Sequence, residues 1–250
     1  MEEFDINEYE VERFSAKMYL DTFTFDLYNS FESSADKEIE RLINELDELN
    51  KKYNNLDKSQ IKGKTEQEIL DIEVDKHYCF IDMDYIKEEV WALIEMKIIY
   101  SFKSLELSTK KLIKTAFSRT RTKDFYKWDI LINFLKSRNI KPENLKGILE
   151  IIQLKDVNNA LKHSGDFPED LKNRIPEFKK KENISLYDLN DFYSRIKTFP
   201  KIYLADLASA IQTELYEFDE QKIDRIANNI AGRMEKKDVD LLVNVIKSKY

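Results

Sequence analysis

Apolar residues recur at every third or fourth position along most of this 250-residue chain, the spacing that gathers them on one face of an α-helix. The pattern predicts a first helix from about Ile6 to Asn29, rich in aromatic residues (Tyr9, Phe14, Tyr19, Phe23, Phe25 and Tyr28). A second helix is expected from Ser33 or Ser34, either of which can serve as N-cap, with Ile39, Leu42, Ile43, Leu46 and Leu49 on its apolar stripe. These two helices are expected to form an antiparallel hairpin. The polar run from Lys51 to Lys64 reads as a loop, and a short helix should follow Thr65, where Glu68 completes a capping-box pattern.

The longest pattern runs from about Asp84 to Phe117, with Val90, Leu93, Ile94, Ile98, Phe102, Leu105, Leu112 and Ile113 on its buried face. Neither Gly nor Pro interrupts it, so a strut roughly 50 Å long is expected. A helix over about Lys123 to Arg138 comes next, and Pro142 is placed to open another that ends at His163. After a connection holding Pro168 and Pro176, Ser185 and Asp188 form a second capping-box pattern ahead of Leu189, Phe192 and Ile196. Pro200 should break or kink that helix before an apolar one from Ile202 to Leu215. Two short amphipathic helices close the chain. The expected division is an acidic hairpin and connector over 1–82, a helical bundle over 83–217, and a C-terminal helical pair over 218–250 packed on it.

Composition agrees with this all-α reading, since only four Gly and four Pro punctuate the chain. A balance of 42% hydrophobic and 36% charged residues belongs to a globular protein rather than a disordered one. One cysteine, Cys79, excludes an intrachain disulfide framework, and His77 beside it has no further Cys or His partner at ligand spacing. Glu2, Glu3, Asp5 and Glu8 crowd the N-terminus and could hold a cation, yet acidic residues entering a helix simply favour its dipole. No signal-peptide pattern and no apolar run of about 18 residues is present, so a cytoplasmic protein without membrane contact is expected. Phosphate-loop, dinucleotide-binding and serine-hydrolase motifs are missing as well, which argues against those chemistries.

Charge is distributed unevenly. Residues 1–100 hold 12 Lys+Arg against 26 Asp+Glu, residues 101–146 hold 12 against 4, and residues 147–250 hold 17 against 18. The basic island can mark a phosphate-binding surface or only a solvated face.

Candidate chemistry concentrates just downstream of that island, in Lys155-Asp156-Val157-Asn158-Asn159-Ala160-Leu161-Lys162-His163-Ser164-Gly165. Leu145, Ile148, Leu149 and Ile152 mark the preceding turns as core, while Gly165 and Pro168 stop the helix so that His163 falls in its last turn. At 3.6 residues per turn, Asp156, Asn159 and His163 lie within about 60° of one another, flanked by Lys155 and Lys162, with Asn158 further round. One face presents a carboxylate, an amide and an imidazole. The plain structural reading is a histidine interacting with the helix end and hydrogen-bonded to Asn159 one turn earlier.

The run Val157-Asn158-Asn159-Ala160-Leu161-Lys162-His163, late on a helix of an all-α chain, resembles the motif of the HEPN superfamily, in which an Arg and a polar residue, usually Asn, precede a His by four to six intervening residues. The resemblance covers about Met83 to Leu215. It implies a helical bundle that dimerises with two motifs facing across a cleft and, in many members, a metal-independent endoribonuclease of toxin or antiphage defence systems with no cofactor. Matched position by position, His163 is the family His, Asn159 the polar residue, and Asn158 stands where the family has Arg. Catalytic roles therefore fall on His163, Asn159 and Asn158, with Lys155, Asp156 and Lys162 facing the substrate and no metal ligand implied.

Metal-independent RNA cleavage needs a base for the 2′-hydroxyl proton and an acid for the leaving oxygen, and a histidine can fill either role. It also needs a fixed positive charge on the phosphorane-like transition state, which Asn158 cannot supply. Lys155, Lys162 or a dimer mate would have to bring it. Two expectations follow: an RNase acting through His163, or a catalytically silent HEPN-like module that binds RNA or a protein partner.

Overall fold

The computed structural model describes residues 8–23, 29–58, 63–117, 120–163 and 165–249. Among them are ten α-helices and no strand: α1 (Glu8–Asp21), α2 (Asn29–Lys58), α3 (Glu66–Ala116), α4 (Trp128–Ser137), α5 (Ile148–His163), α6 (Glu169–Arg174), α7 (Leu186–Ile196), α8 (Phe199–Tyr216), α9 (Glu220–Ala231) and α10 (Lys236–Lys247). The all-α class read from the hydrophobic pattern is the class adopted.

Several boundaries differ from expectation for local reasons. The first helix ends at Asp21, where the Thr22 hydroxyl donates to the Met18 carbonyl at 2.7 Å; Ile6, Phe25 and Tyr28 lie outside the described residues. The expected loop from Lys51 is helical as far as Lys58, since Asn54 and Asn55 each cost only about half a kcal/mol in a helix. The short helix after Thr65 and the long strut are one helix, α3. Its start carries the predicted capping box, with the Thr65 N–H and hydroxyl both donating to Glu68 Oε2 at 2.8 Å. Its buried stripe then continues without a break through Ile72, Cys79, Met83, Ile86 and Val90. Pro142 opens a 3-10 turn rather than α5. Gly147 adopts φ +79, which only glycine takes without strain, and α5 begins immediately after it. Pro200 sits in the first turn of α8, where its missing N–H costs nothing.

The helices gather into two compact units that alternate along the chain. The motif unit, residues 26–105 and 147–200, holds α2, most of α3, α5, α6 and α7. Its core includes Leu42 and Leu46 of α2, Val90, Ile94 and Ile98 of α3, Ile151, Leu154 and Val157 of α5, and Leu189, Phe192 and Ile196 of α7. Phe178 stacks between Phe167 and Phe192, with ring centroids 5.3 Å from each. Lys97 is buried here, ion-paired with Asp36 and lying 4.5 Å above the Tyr193 ring. The Tyr193 hydroxyl in turn donates to Glu32 at 3.3 Å, so one polar cluster ties α2, α3 and α7.

The terminal unit, residues 1–25, 106–146 and 201–250, holds α1, the end of α3, α4, most of α8, α9 and α10. Leu112, Ile113, Leu131, Leu135, Leu204 and Leu207 form its core. Asp206 accepts a hydrogen bond from the Lys146 N–H at 3.0 Å, and Lys222 caps α8 by donating to the Thr213 carbonyl at 3.2 Å and to that of Glu214. No residue of α9 or α10 is buried.

Candidate functional site

The stretch singled out by the sequence is the C-terminal half of α5, in the motif unit. Its helix is fixed at the start by Gly147, whose Cβ position would lie 3.0 Å from the Phe199 ring, so no other residue fits there without a shift. Its end is fixed by Gly165, which takes φ +70 and donates its N–H to the Ala160 carbonyl at 3.0 Å. Between these stops the helix turns one stripe inward: Ile151, Leu154, Val157, Asn158 and Leu161 are buried.

The outward stripe follows the angular reading. His163, Lys162 and Asn159 are exposed, and Asp156 and Lys155 are half-buried. Asn158, 1% exposed, lies on the core side instead, so the structure does not bring it together with His163. Its Nδ2 donates to Asn159 Oδ1 at 3.2 Å, while its own Oδ1 is buried without a partner among the described residues. An inward-facing amide has no direct path to a ligand on the outward stripe. The hydrogen bond to Asn159 is its link to that surface.

Asp156 is already engaged. Its Oδ2 accepts from Arg174 Nη1 at 2.8 Å, and Lys155 Nζ stands 3.6 Å from its Oδ1. Arg174 is the last residue of α6 and also donates from Nε to the Asp170 carbonyl at 3.3 Å. Gln153, one turn before Asp156, donates to the Arg174 carbonyl at 2.9 Å and accepts from Arg195 of α7 at 3.0 Å. Arg195 is then held by Glu177 at 2.9 Å. This relay pins α5 to α6 and α7. It also neutralises Asp156, which leaves Lys162 as the exposed cation beside His163 with no ion pair among the described residues.

Burial pushes the Glu177 carboxyl up, but the hydrogen bonds and charge of Arg195, with a bond from its own backbone, outweigh that and hold it below the ordinary carboxylate range. Arg174, Arg195 and Glu177 carry no local signal in the sequence: Arg174 lies 18 residues beyond Asp156, and only the packing of α6 brings the two together.

His77 and Cys79 do not share a surface, His77 being exposed and Cys79 buried. Among the described residues no group of three or more His, Cys, Asp or Glu side chains is placed to hold a metal ion. A separate, largely apolar cleft of about 640 Å³ lies between α2, α3 and the start of α7, lined by Leu46, Trp91, Leu186 and Tyr187 among others. None of the predicted site residues lines it. Among the described residues no helix is long and apolar enough to cross a membrane.

No protein-family model, curated protein or solved structure matches the chain.

Proposed function

We propose that the chain is a HEPN-like protein of the toxin or antiphage-defence type that cleaves RNA without a metal through His163. The observation that carries this reading is the exposure of the imidazole in the last turn of α5, on the same outward stripe as Asn159. An exposed imidazole can reach a 2′-hydroxyl or a leaving 5′-oxygen and exchange a proton with it; one buried against carbonyls cannot. Each chain brings one such group, while cleavage uses a base and an acid. A homodimer that brings two copies of the α5 end together supplies both. Lys162 places a positive charge beside each imidazole, and Asn159 is positioned to hydrogen-bond the phosphate.

A second reading is favoured by the burial of Asn158 and the engagement of Arg174 with Asp156. With no free guanidinium on the stripe, the transition-state charge is met only by lysine, a less directional donor. On this reading the chain is a catalytically silent binding module. The apolar residues exposed on α9 and α10, Ile223, Leu241 and Ile246 among them, would then contact a partner protein.

Structured and single-stranded RNA incubated with wild type and with His163→Ala in excess EDTA separates the two. The ribonuclease reading expects cleavage by wild type and none by the variant. Cleavage that survives His163→Ala, or that needs added metal, overturns the mechanism. No cleavage of any RNA by wild type moves the chain to the silent module.

A further inference from the structure

We infer that the terminal unit carries a binding surface for single-stranded nucleic acid, formed by the last turns of α3, the 3-10 turn at Thr122–Asp124 and the segment leading into and out of α4. This surface uses no residue of α5, and it goes beyond the cleavage chemistry proposed for His163.

Residues 106–146 hold 11 Lys+Arg against 4 Asp+Glu, in a protein whose net charge is −7. Three of the four acids are engaged: Glu106 with Lys110 at 2.6 Å, Asp124 with Arg121 at 3.0 Å, and Glu143 with Lys136 at 3.6 Å. Lys111, Lys114, Lys127 and Arg138 are exposed and have no acidic partner among the described residues, and Lys123, also exposed, forms no ion pair among them, although its charge acts on the neighbouring Asp124.

The segments bearing most of these cations meet at one aromatic node. Phe117, just past α3, and Phe125, after the 3-10 turn, both pack on Phe134 of α4, with centroids 5.4 and 5.1 Å away. The Arg138 guanidinium lies over Phe117 and Phe134 at 5.4 and 5.2 Å. Lys114 is three residues before Phe117, and Lys123 and Lys127 flank Phe125 by two residues each. Chain segments separated in sequence are thus drawn together with their cations outward.

Tyr126 supplies the second half of the chemistry. Phe125 is buried, but Tyr126 next to it is 69% exposed, and Lys127 Nζ lies 5.7 Å from its ring. An exposed ring among cations is the arrangement that single strands use, phosphates on the cations and an unpaired base stacked on the ring. A duplex keeps its bases inside and gains nothing from the ring. A lipid surface would call for a broad apolar belt beside the cations, whereas among the described residues between 106 and 146 only Leu107 and Tyr126 are large, apolar and strongly exposed. The acidic remainder of the chain does not forbid binding, because exposed charges are screened beyond about 8 Å at physiological ionic strength.

The test measures fluorescence anisotropy of short labelled oligo(U) and oligo(dT) strands, in a His163→Ala background so that cleavage does not erode the signal. Both strands are expected to bind, with affinity falling steeply as salt rises. The triple variant Lys114→Ala/Lys123→Ala/Lys127→Ala should weaken binding about tenfold or more and reduce the slope of log affinity against log salt by about two. Tyr126→Ala should weaken it about fivefold or more and leave that slope unchanged. Lys236→Ala/Lys237→Ala removes two charges from α10 and should change nothing. The inference is overturned if neither strand binds, if the α10 variant weakens binding as much as the triple variant, if the triple variant binds like wild type, or if duplex RNA or anionic vesicles bind and single strands do not. Loss of cleavage in His163→Ala with binding intact would leave both proposals standing, so the two fail separately.

Discussion

Lys97 and Lys114 lie on the same helix, roughly five turns apart, and the protein uses them in opposite ways. Lys97, in the motif unit, is 4% exposed, ion-paired with Asp36 and covered by the Tyr193 ring. Lys114, in the terminal unit, is exposed and has no acidic partner among the described residues. The contrast extends to the units. By sequence the motif unit holds 20 Lys+Arg against 28 Asp+Glu, and a few of its cations are taken up in pairs between segments distant in sequence, such as Lys97 with Asp36, Arg174 with Asp156 and Arg195 with Glu177. The terminal unit is close to neutral, with 21 against 20, but concentrates 11 of its cations in residues 106–146, where they outnumber acids and where Lys111, Lys114, Lys123, Lys127 and Arg138 are exposed. Net charge therefore misleads about where a polyanion would bind. What matters is which cations remain free once the fold has used the others.

The comparison breaks if removing a pair from the motif unit costs no more than removing cations from the terminal unit. Asp36→Ala strands the buried Lys97 ammonium and is expected to destabilise the protein by about 3 kcal/mol or more, read from urea denaturation. Lys97→Met removes the charge together with the need for a partner, and should cost clearly less. By the same assay, Lys114→Ala/Lys123→Ala should change stability by under about 0.5 kcal/mol per site.

Acid sharpens the contrast with a smaller effect. Glu177 and Asp188 of the motif unit both sit below their ordinary values. For Asp188 as for Glu177, burial acts upward and is outweighed, here by the N–H and hydroxyl of Ser185 and by Lys181. A carboxylate whose folded pKa is depressed contributes stability above its unfolded value, and the contribution is lost as pH falls through the folded one. Stability should thus decline below pH about 4.5, where the unfolded chain takes up protons first. Arg195→Met should flatten that decline when urea midpoints are compared between neutral and acid pH.

How far all this was legible in the sequence depends on the range of the interactions. The capping boxes at Thr65/Glu68 and Ser185/Asp188 span three residues, and both form as read. The exposed stripe of α5 follows from helical period alone. The length of α3 was obscured because its first turns are polar on most sides, and only packing shows that Ile72 and Cys79 continue the stripe of Val90 and Ile94. The Asp156–Arg174 pair was invisible, since it depends on where α6 docks. The inward turn of Asn158 was half legible: its angle pointed away from His163, but an amide is not expected in a core.

Asn158 gives the last and smallest prediction. Its side chain is 1% exposed, its Oδ1 lacks a partner among the described residues, and its one hydrogen bond goes to Asn159, which is exposed and can turn to water. Replacement by leucine, nearly isosteric, removes a weak bond together with a desolvated acceptor, and these two terms oppose each other. Asn158→Leu should therefore shift stability by less than about 1 kcal/mol in either direction, measured by urea denaturation. Asn158→Arg, which restores the HEPN pattern, forces a guanidinium into the same space and should cost several times as much. If the chemistry belongs to the outward stripe, Asn158→Leu keeps whatever RNA cleavage the wild type has. Loss of cleavage with stability unchanged would instead mean that Asn158 acts through Asn159, holding that amide toward the phosphate, and the site would extend one layer inward.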